Sequence, residues 1–158
     1  MCLIYGVKGI KGGAKRVTGY VNKDIIKTEA RGLDKYKILF GKAYMTTSTT
    51  PPALIYAEPN TACSETFLQI GPFDAKTEQQ NCGKYIHTKF FRALLFFNRS
   101  SMNISNTTFA LIPLQDFTDK SDIDWSKSVA EIDQQLYKKY NLDDSEISFI
   151  ESMIKPMA

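Results

Sequence analysis

The chain has little of what metal, redox and membrane proteins depend on. Its 158 residues include one histidine and three cysteines, and Cys2, Cys63 and Cys82 lie far apart with no CxxC spacing. We therefore expect neither a zinc site nor a disulfide scaffold, and we expect the three cysteines to be buried free thiols. The longest apolar cluster, Phe90 to Phe97, is broken by Arg92 and is far shorter than the roughly 20 residues of a membrane span. The start of the chain also lacks the order of a signal peptide, so we expect a cytoplasmic protein.

Glycine-rich cofactor and phosphate loops are missing as well. No GxGxxG occurs, and Gly9–Arg16 does not fit GxxxxGK[ST], because Lys15 follows Ala14 and precedes Arg16. A base-modifying methyltransferase also needs a Pro-Pro motif with Asn, Asp or Ser before it and an aromatic residue after it. The one Pro-Pro pair, in Thr50–Ala53, has neither. The chain by itself is therefore expected not to be an enzyme and to bind no cofactor or metal of its own.

One weak motif keeps a metal-dependent nuclease open as an alternative. Asp74-Ala75-Lys76 fits the acid-x-Lys pair of such enzymes, with Glu58 or Glu65 as the further acid. Asp74 serves equally well as the N-cap of the helix that follows. His87, the only histidine, has no paired Ser, Cys or Asp motif and is interpreted as structural.

Charge is distributed unevenly along the chain. The formal net charge is +3, but residues 1–42 hold ten Lys/Arg and three acids, a net +7, whereas residues 116–151 hold ten acids and four lysines, a net −6. A basic N-terminal half favours a polyanion as partner, most simply nucleic acid. The acidic part would be repelled by DNA, so we expect it to pack against the basic body or another protein domain.

Hydrophobic patterning predicts a mixed α/β (α+β) fold in a single domain over residues 1–158, with an acidic helical segment at 116–158. The predicted sheet is central and mixed or antiparallel, with a long helix after ETFLQIGPF and two C-terminal helices. Strands are predicted at Cys2–Val7, Val17–Val21, Tyr36–Tyr44, Ala53–Ala57, Glu65–Gly71 and Thr107–Pro113. Helices are predicted at Asp24–Arg31, Lys76–Ile86 with a continuation or restart to Phe97, Ser128–Tyr140 and Ser145–Ile154.

Candidate DNA contacts follow from charge and predicted loops. A flexible basic loop, Lys8 to Arg16, could touch phosphates, and polar loops could reach base edges. Cations on the helix after Lys84 could add phosphate contacts, although an amphipathic core helix explains them too. The candidate DNA-binding residues are Lys8, Lys11, Lys15, Arg16, Thr46, Thr47, Lys89, Arg92, Arg99, Asn103 and Asn106.

Five segments resemble one protein family in the expected order. They are Glu65–Phe73 (ETFLQIGPF), similar to ETYLVIGPF; Tyr85–Arg92 (YIHTKFFR), similar to YxxTKFFR; Ile112–Phe117 (IPLQDF), similar to VPxQDF; Ile132–Tyr140 (IDQQLYKKY) after Trp125, similar to W…DxxLYxKY; and Glu146–Met157 (EISFIESMIKPM), similar to EIxFIExxIKPM. The family comprises C-terminal target-recognition domains of fused type II restriction–modification enzymes and adenine-specific DNA methyltransferases. The resemblance covers about residues 36–157 and is less clear before residue 36.

This resemblance implies a DNA-binding domain without catalytic residues, with double-stranded DNA as its partner. In the family, an upstream methyltransferase domain uses S-adenosylmethionine, and a nuclease domain, where present, uses Mg²⁺. A protein-interaction domain that docks a partner enzyme through the acidic helices is the alternative reading of the same charge pattern.

Overall fold

The computed structural model describes residues 1–26, 32–43, 47–99, 101 and 103–157. Within these residues the fold is mixed α+β, as predicted, with two three-stranded sheets and four α-helices. The strands are β1 (Cys2–Ile10), β2 (Gly13–Val21), β3 (Tyr36–Gly41), β4 (Ile55–Ala57), β5 (Thr61–Cys63) and β6 (Phe67–Phe73). The helices are α1 (Lys76–His87), α2 (Lys89–Phe97), α3 (Val129–Lys139) and α4 (Asp144–Met153). No helix of this described part is long and apolar enough to cross a membrane.

The two sheets have different pairing. In the first, β1 lies between β2, which is antiparallel to it over nine residue pairs, and β5, which is parallel to it along Leu3–Tyr5. In the second, β3 lies between β4 and β6 and is antiparallel to both. A buried lysine links them, because Lys37 of β3 donates from Nζ to Thr61 O of β5 at 2.9 Å. Burial lowers the pKa of this lysine.

The core lies between the second sheet and the helices. Ile38 and Phe40 of β3 are fully buried against a cluster that includes Ile86 of α1, Leu95 of α2 and Leu136 of α3. Gln79 anchors α1 to the sheet by donating from Nε2 to Lys37 O at 2.7 Å and to Ala57 O at 3.0 Å. Since burial of apolar surface is the main stabilising term, this packing fixes the position of α1 and α2 relative to β3.

Local signals placed the helix boundaries well. Thr88 ends α1 and begins α2, accepting at Oγ1 from Phe91 N at 3.1 Å, which confirms the predicted restart. Ser128 and Asp143 begin α3 and α4 with capping boxes to Glu131 and Glu146. The cap predicted at Asp74 is wrong: the N-cap of α1 is Ala75, and the Asp74 carboxylate pairs with Lys35 at 2.6 Å.

Three further expectations are corrected. The predicted single central sheet is two sheets, because the three-residue strand β5, which the sequence did not suggest, pairs with β1 rather than with β3. The strand predicted at Thr107–Pro113 is a 3-10 helix, Asn106–Phe109, followed by turns. The predicted loop Lys8–Arg16 is a β-hairpin. Of the helix predicted at Asp24–Arg31, a 3-10 turn covers Lys23–Ile25 and residues 27–31 lie outside the described part.

Candidate nucleic-acid interface

A two-stranded hairpin projects from the first sheet. We call its outer part, residues Val7–Arg16, the basic arm. Support from β5 ends at Tyr5, whose carbonyl accepts from Ser64 N at 2.8 Å, whereas the β1–β2 pairing continues to Ile10 opposite Gly13. Every residue of the arm is exposed. The arm is therefore held by its own ladder and presents both faces to the surroundings.

The tip of the arm is a two-residue turn, Lys11-Gly12. Gly12 has φ +89°, in the region that favours glycine, and a glycine at the second central position is what a type II turn requires. The glycines that suggested a flexible loop are thus the residues that close the hairpin. The turn puts the Lys11 side chain at the far end of the arm.

Lys8 and Lys15 stand directly opposite each other on neighbouring strands. Like charges at opposed positions destabilise a sheet, and no acid precedes Asp24 in the sequence. Among the described residues, no ion pair or hydrogen bond involves the ammonium group of Lys8, Lys11 or Lys15. The arm therefore concentrates uncompensated positive charge, which a polyanion would neutralise.

Arg16 stands at the base of the arm and points to the body. Its Nη1 donates to Ala53 O at 3.3 Å, and its guanidinium lies 5.8 Å from the centre of the Phe67 ring. The guanidinium also lies close to the backbone of Gly41, because a Cβ atom added there would be 3.4 Å from Arg16 Nη2. Arg16 thus fixes the arm against the second sheet, so that it orients the arm in addition to carrying charge.

Polar loops lie at the same end of the second sheet. Lys42 follows β3 directly, and its carbonyl accepts from Ile104 N at 2.9 Å, while Ala43 bridges to Asn103. Asn103 and Asn106 are exposed, as is Thr47. The structure therefore brings two of the predicted polar residues, Asn103 and Asn106, close to the strand end that Arg16 contacts. Thr46 lies outside the described residues.

Lys42 is a basic residue of this surface that sequence reasoning missed. It lines a shallow depression of about 310 Å³ together with Ser105, Asn106 and Thr107. The sequence prediction placed Lys42 inside the strand Tyr36–Tyr44, whereas β3 ends at Gly41, so Lys42 was not read as a strand-end residue. Strand ends of this kind carry side chains to the rim of a sheet, where ligands bind.

Arg92 does not fit the predicted phosphate contact. It is 2% exposed, with Nε donating to Thr49 O at 2.8 Å and Nη2 donating to Lys155 O at 2.7 Å. Arg99 lies nearby and donates from Nη2 to Ser48 O at 3.1 Å. Both arginines therefore hold the backbone of the Thr47–Thr50 loop to α2.

Lys89 is likewise engaged inside the protein. Its ammonium forms an ion pair with Glu151 of α4, and 17% of its side chain is exposed. Its backbone N–H donates to Asp133 Oδ2 at 2.9 Å, and Phe90 N donates to Asp133 Oδ1 at 2.9 Å. The Asp133 carboxylate of α3 thus caps α2 from outside, and the prediction that Lys89 contacts DNA is not supported by its position.

The buried cap at Asp133 makes stability depend on pH. Burial raises the pKa of Asp133 to about 6. The hydrogen bonds from the backbone N–H groups of Phe90 and Lys89 lower this pKa and so offset part of the rise. A carboxyl with a raised folded-state pKa contributes stability that is fully present below its unfolded pKa and is lost as pH rises through the folded one. We expect the unfolding free energy of the wild type, relative to Asp133→Asn, to fall by about 2 kcal/mol between about pH 4 and pH 6.

Urea unfolding of both proteins across this pH range measures the effect. Acids whose pKa is lowered, such as Asp116, Asp124 and Asp143, change stability in the opposite direction, but they are common to both proteins and cancel in the difference. A difference that stays constant with pH would show that folding does not raise the pKa of Asp133.

The structure brings together two residues of the nuclease alternative, Lys76 and Glu58, whereas Asp74 pairs outside that set. Asp74 pairs with Lys35 at 2.6 Å, and Lys76 pairs with Glu58 at 2.7 Å. Within the residues that the structure describes, no group of three or more His, Cys, Asp or Glu side chains is arranged to hold a metal ion. No specific observation favours the nuclease reading.

Comparisons with protein-family models, with curated proteins and with solved structures found no match to this chain.

Proposed function

We propose that this chain is a DNA-binding, target-recognition domain that grips duplex DNA through the basic arm and positions a separate methyltransferase domain. The observation that carries the proposal is the arm itself: a projecting hairpin in which Lys8, Lys11 and Lys15 are exposed and form no ion pair with any acid of the described residues. The resemblance of residues 36–157 to target-recognition domains of restriction–modification enzymes supports the same function.

The charge pattern of the arm suits a nucleic-acid backbone. Duplex DNA carries one negative charge per roughly 1.7 Å of axis, and lysines that neutralise phosphates release condensed counterions. The like-charged pair at Lys8 and Lys15 is unfavourable in the isolated protein and becomes favourable when phosphates lie beside it. The exposed Asn103 and Asn106 supply amide groups for further contacts near the base of the arm.

The acidic segment supports a division of roles. Acids of α4 and of the loop before α3 pair with internal lysines, as in Lys89–Glu151 and Lys139–Asp122, so part of this charge stabilises the fold. In the proposed function the remaining acids repel DNA from this side of the protein, and the catalytic domain binds there instead. That domain would bring S-adenosylmethionine and, where a nuclease is present, Mg²⁺.

The salt dependence of duplex binding tests the proposal. We expect the wild-type chain to bind a labelled duplex in fluorescence anisotropy, with log affinity falling linearly with log salt. Replacing Lys8, Lys11 and Lys15 together by glutamine should reduce the slope by about 2–3, because each cation withdrawn from the DNA contributes about 0.9. Because all three lysines are exposed, their replacement should leave the midpoint of the unfolding transition unchanged.

A matched variant separates the arm from net charge. Lys127, Lys138 and Lys155 are also exposed, and their joint replacement by glutamine removes the same charge from the helical side. This control should retain the wild-type slope. Equal slopes for all three proteins, or no duplex binding at low salt, would contradict the proposal.

A second candidate function, docking of a partner protein, is favoured by one observation. Phe97 of α2 and Phe149 of α4 are 58% and 53% exposed and stack with ring centres 5.9 Å apart. An exposed aromatic pair beside acidic helix residues is typical of a protein contact. If docking is the main function, the variant with glutamine at Lys8, Lys11 and Lys15 should bind the partner enzyme like the wild type. The double variant Phe97→Ser with Phe149→Ser should lose that binding.

A further inference from the structure

We infer that the basic arm enters the major groove of B-form DNA tip first, with Lys11 reading guanine while Lys8 and Lys15 hold phosphates at the two rims. The inference rests on the proposed function and adds the groove, the base and the division of work among the three lysines. Three features carry it: the width of the arm, the distance between its lysine pair and its tip, and the scarcity of side chains near the turn.

The width of the arm selects the groove. The arm is a two-stranded antiparallel ribbon, and two backbones about 4.8 Å apart with their side chains are wider than the minor groove, which is about 6 Å across. The major groove is about 12 Å wide and admits such a ribbon. The major groove of A-form RNA is too narrow and deep for side chains to read, so the arm is suited to DNA.

The spacing along the arm matches the depth of the groove. Lys8 and Lys15 are opposed two positions behind the closing pair Ile10 and Gly13. At about 3.3 Å per residue, that places them roughly 7 Å behind the closing pair, and the turn extends further. Since the major groove is about 8.5 Å deep, the lysine pair lies at the level of the phosphates when the turn reaches the base edges.

The tip is thin and carries one long polar side chain. Gly12 lies in the turn, Gly13 and Ala14 follow it, and Gly9 precedes Ile10, which at 51% exposure is the one large apolar side chain at the tip. A Cβ added at Gly9, Gly12 or Gly13 would meet nothing within 4 Å. The backbone can therefore approach the base edges closely. Lys11 is exposed at the far end, and an ammonium group in the major groove finds its best acceptors at O6 and N7 of guanine.

Base analogues test the groove and the residue together. A guanine-rich duplex is compared with two duplexes of the same sequence, one with 7-deazaguanine, which lacks the N7 acceptor of the major groove, and one with hypoxanthine, which lacks the minor-groove amino group. We expect 7-deazaguanine to weaken wild-type binding roughly tenfold and hypoxanthine to leave it unchanged. The Lys11→Met protein should bind the guanine and 7-deazaguanine duplexes equally.

The Lys8→Met protein is the matched control. It loses the same charge two positions from the closing pair, so it should bind every duplex more weakly and keep the roughly tenfold preference for guanine over 7-deazaguanine. Sensitivity to hypoxanthine in place of 7-deazaguanine would place the arm in the minor groove and overturn the inference. Sensitivity of Lys11→Met to 7-deazaguanine would remove Lys11 as the reading residue. In both cases salt-dependent binding would leave the proposed function standing, whereas loss of all duplex binding by the wild type would refute both.

Discussion

Replacing Arg92 by methionine is expected to lower the free energy of unfolding by about 2–4 kcal/mol, because the buried guanidinium donates two charged hydrogen bonds to part-buried carbonyl groups that would both be lost. The guanidinium joins Thr49 O, ahead of β4, to Lys155 O, beyond α4. Methionine fills much of the volume but donates nothing. The Thr47–Thr50 loop should also lose its attachment to α2, so that its amides exchange faster with solvent.

Urea unfolding and amide hydrogen exchange measure the two effects. Arg16→Met is the matched control, since Arg16 also donates to a carbonyl, Ala53 O at 3.3 Å, but is exposed and should cost less than about 1 kcal/mol. If the two variants lose equal stability, burial of Arg92 is not what makes its hydrogen bonds important.

Arg92 also shows where sequence reasoning reaches its limit. The spacing of Lys89 and Arg92 placed both on one side of a helix, and charge suggested that this side meets solvent or DNA. The partners that bury Arg92 lie 43 and 63 residues away along the chain. Contacts at such separations are not encoded in local periodicity, whereas the caps at Ser128 and Asp143, whose partners lie three residues on, were readable from the sequence.

The basic arm shows the opposite outcome. Charge selected its residues as a group, and they lie together on one exposed hairpin. The conformation predicted for them, a loop, was wrong, because a cluster of glycine and lysine has little β propensity. Pairing along the full length of β1 and β2 supplies what local propensity lacks. The strand β5 was missed for a similar reason, since its three residues pair with β1 from 58 positions away, as Leu3 opposite Thr61 shows.

The segments that carry the family resemblance converge on the helices. Thr88 and Asp133 cap α2, Lys89 pairs with Glu151, and Arg92 holds Lys155 O. These residues therefore build the framework that fixes α2, α3 and α4 together. The arm lies before residue 36, where the resemblance is least clear.

Shortening the arm is expected to reduce duplex affinity at least 100-fold at about 50 mM salt, since three phosphate or base contacts of roughly 1 kcal/mol each disappear with the ribbon. Residues 9–14 are replaced by Asn-Gly, and Lys8→Thr and Lys15→Thr complete the change. Positions 8 and 15 have the same hydrogen-bonding phase as the present closing pair, because antiparallel pairs alternate, so a two-residue turn should close them.

The fold should tolerate this change, since every removed residue is exposed and the packing of Tyr5 against Leu39 and Phe67 remains. We expect the unfolding free energy to stay within about 0.5 kcal/mol of the wild type. Anisotropy titrations beside urea unfolding give both quantities from one preparation. A shortened protein that folds and still binds duplex DNA like the wild type would move the interface away from the arm, to the surface of Lys42, Asn103 and Asn106. Weakened binding in a stable fold would identify the arm as the principal contact with DNA.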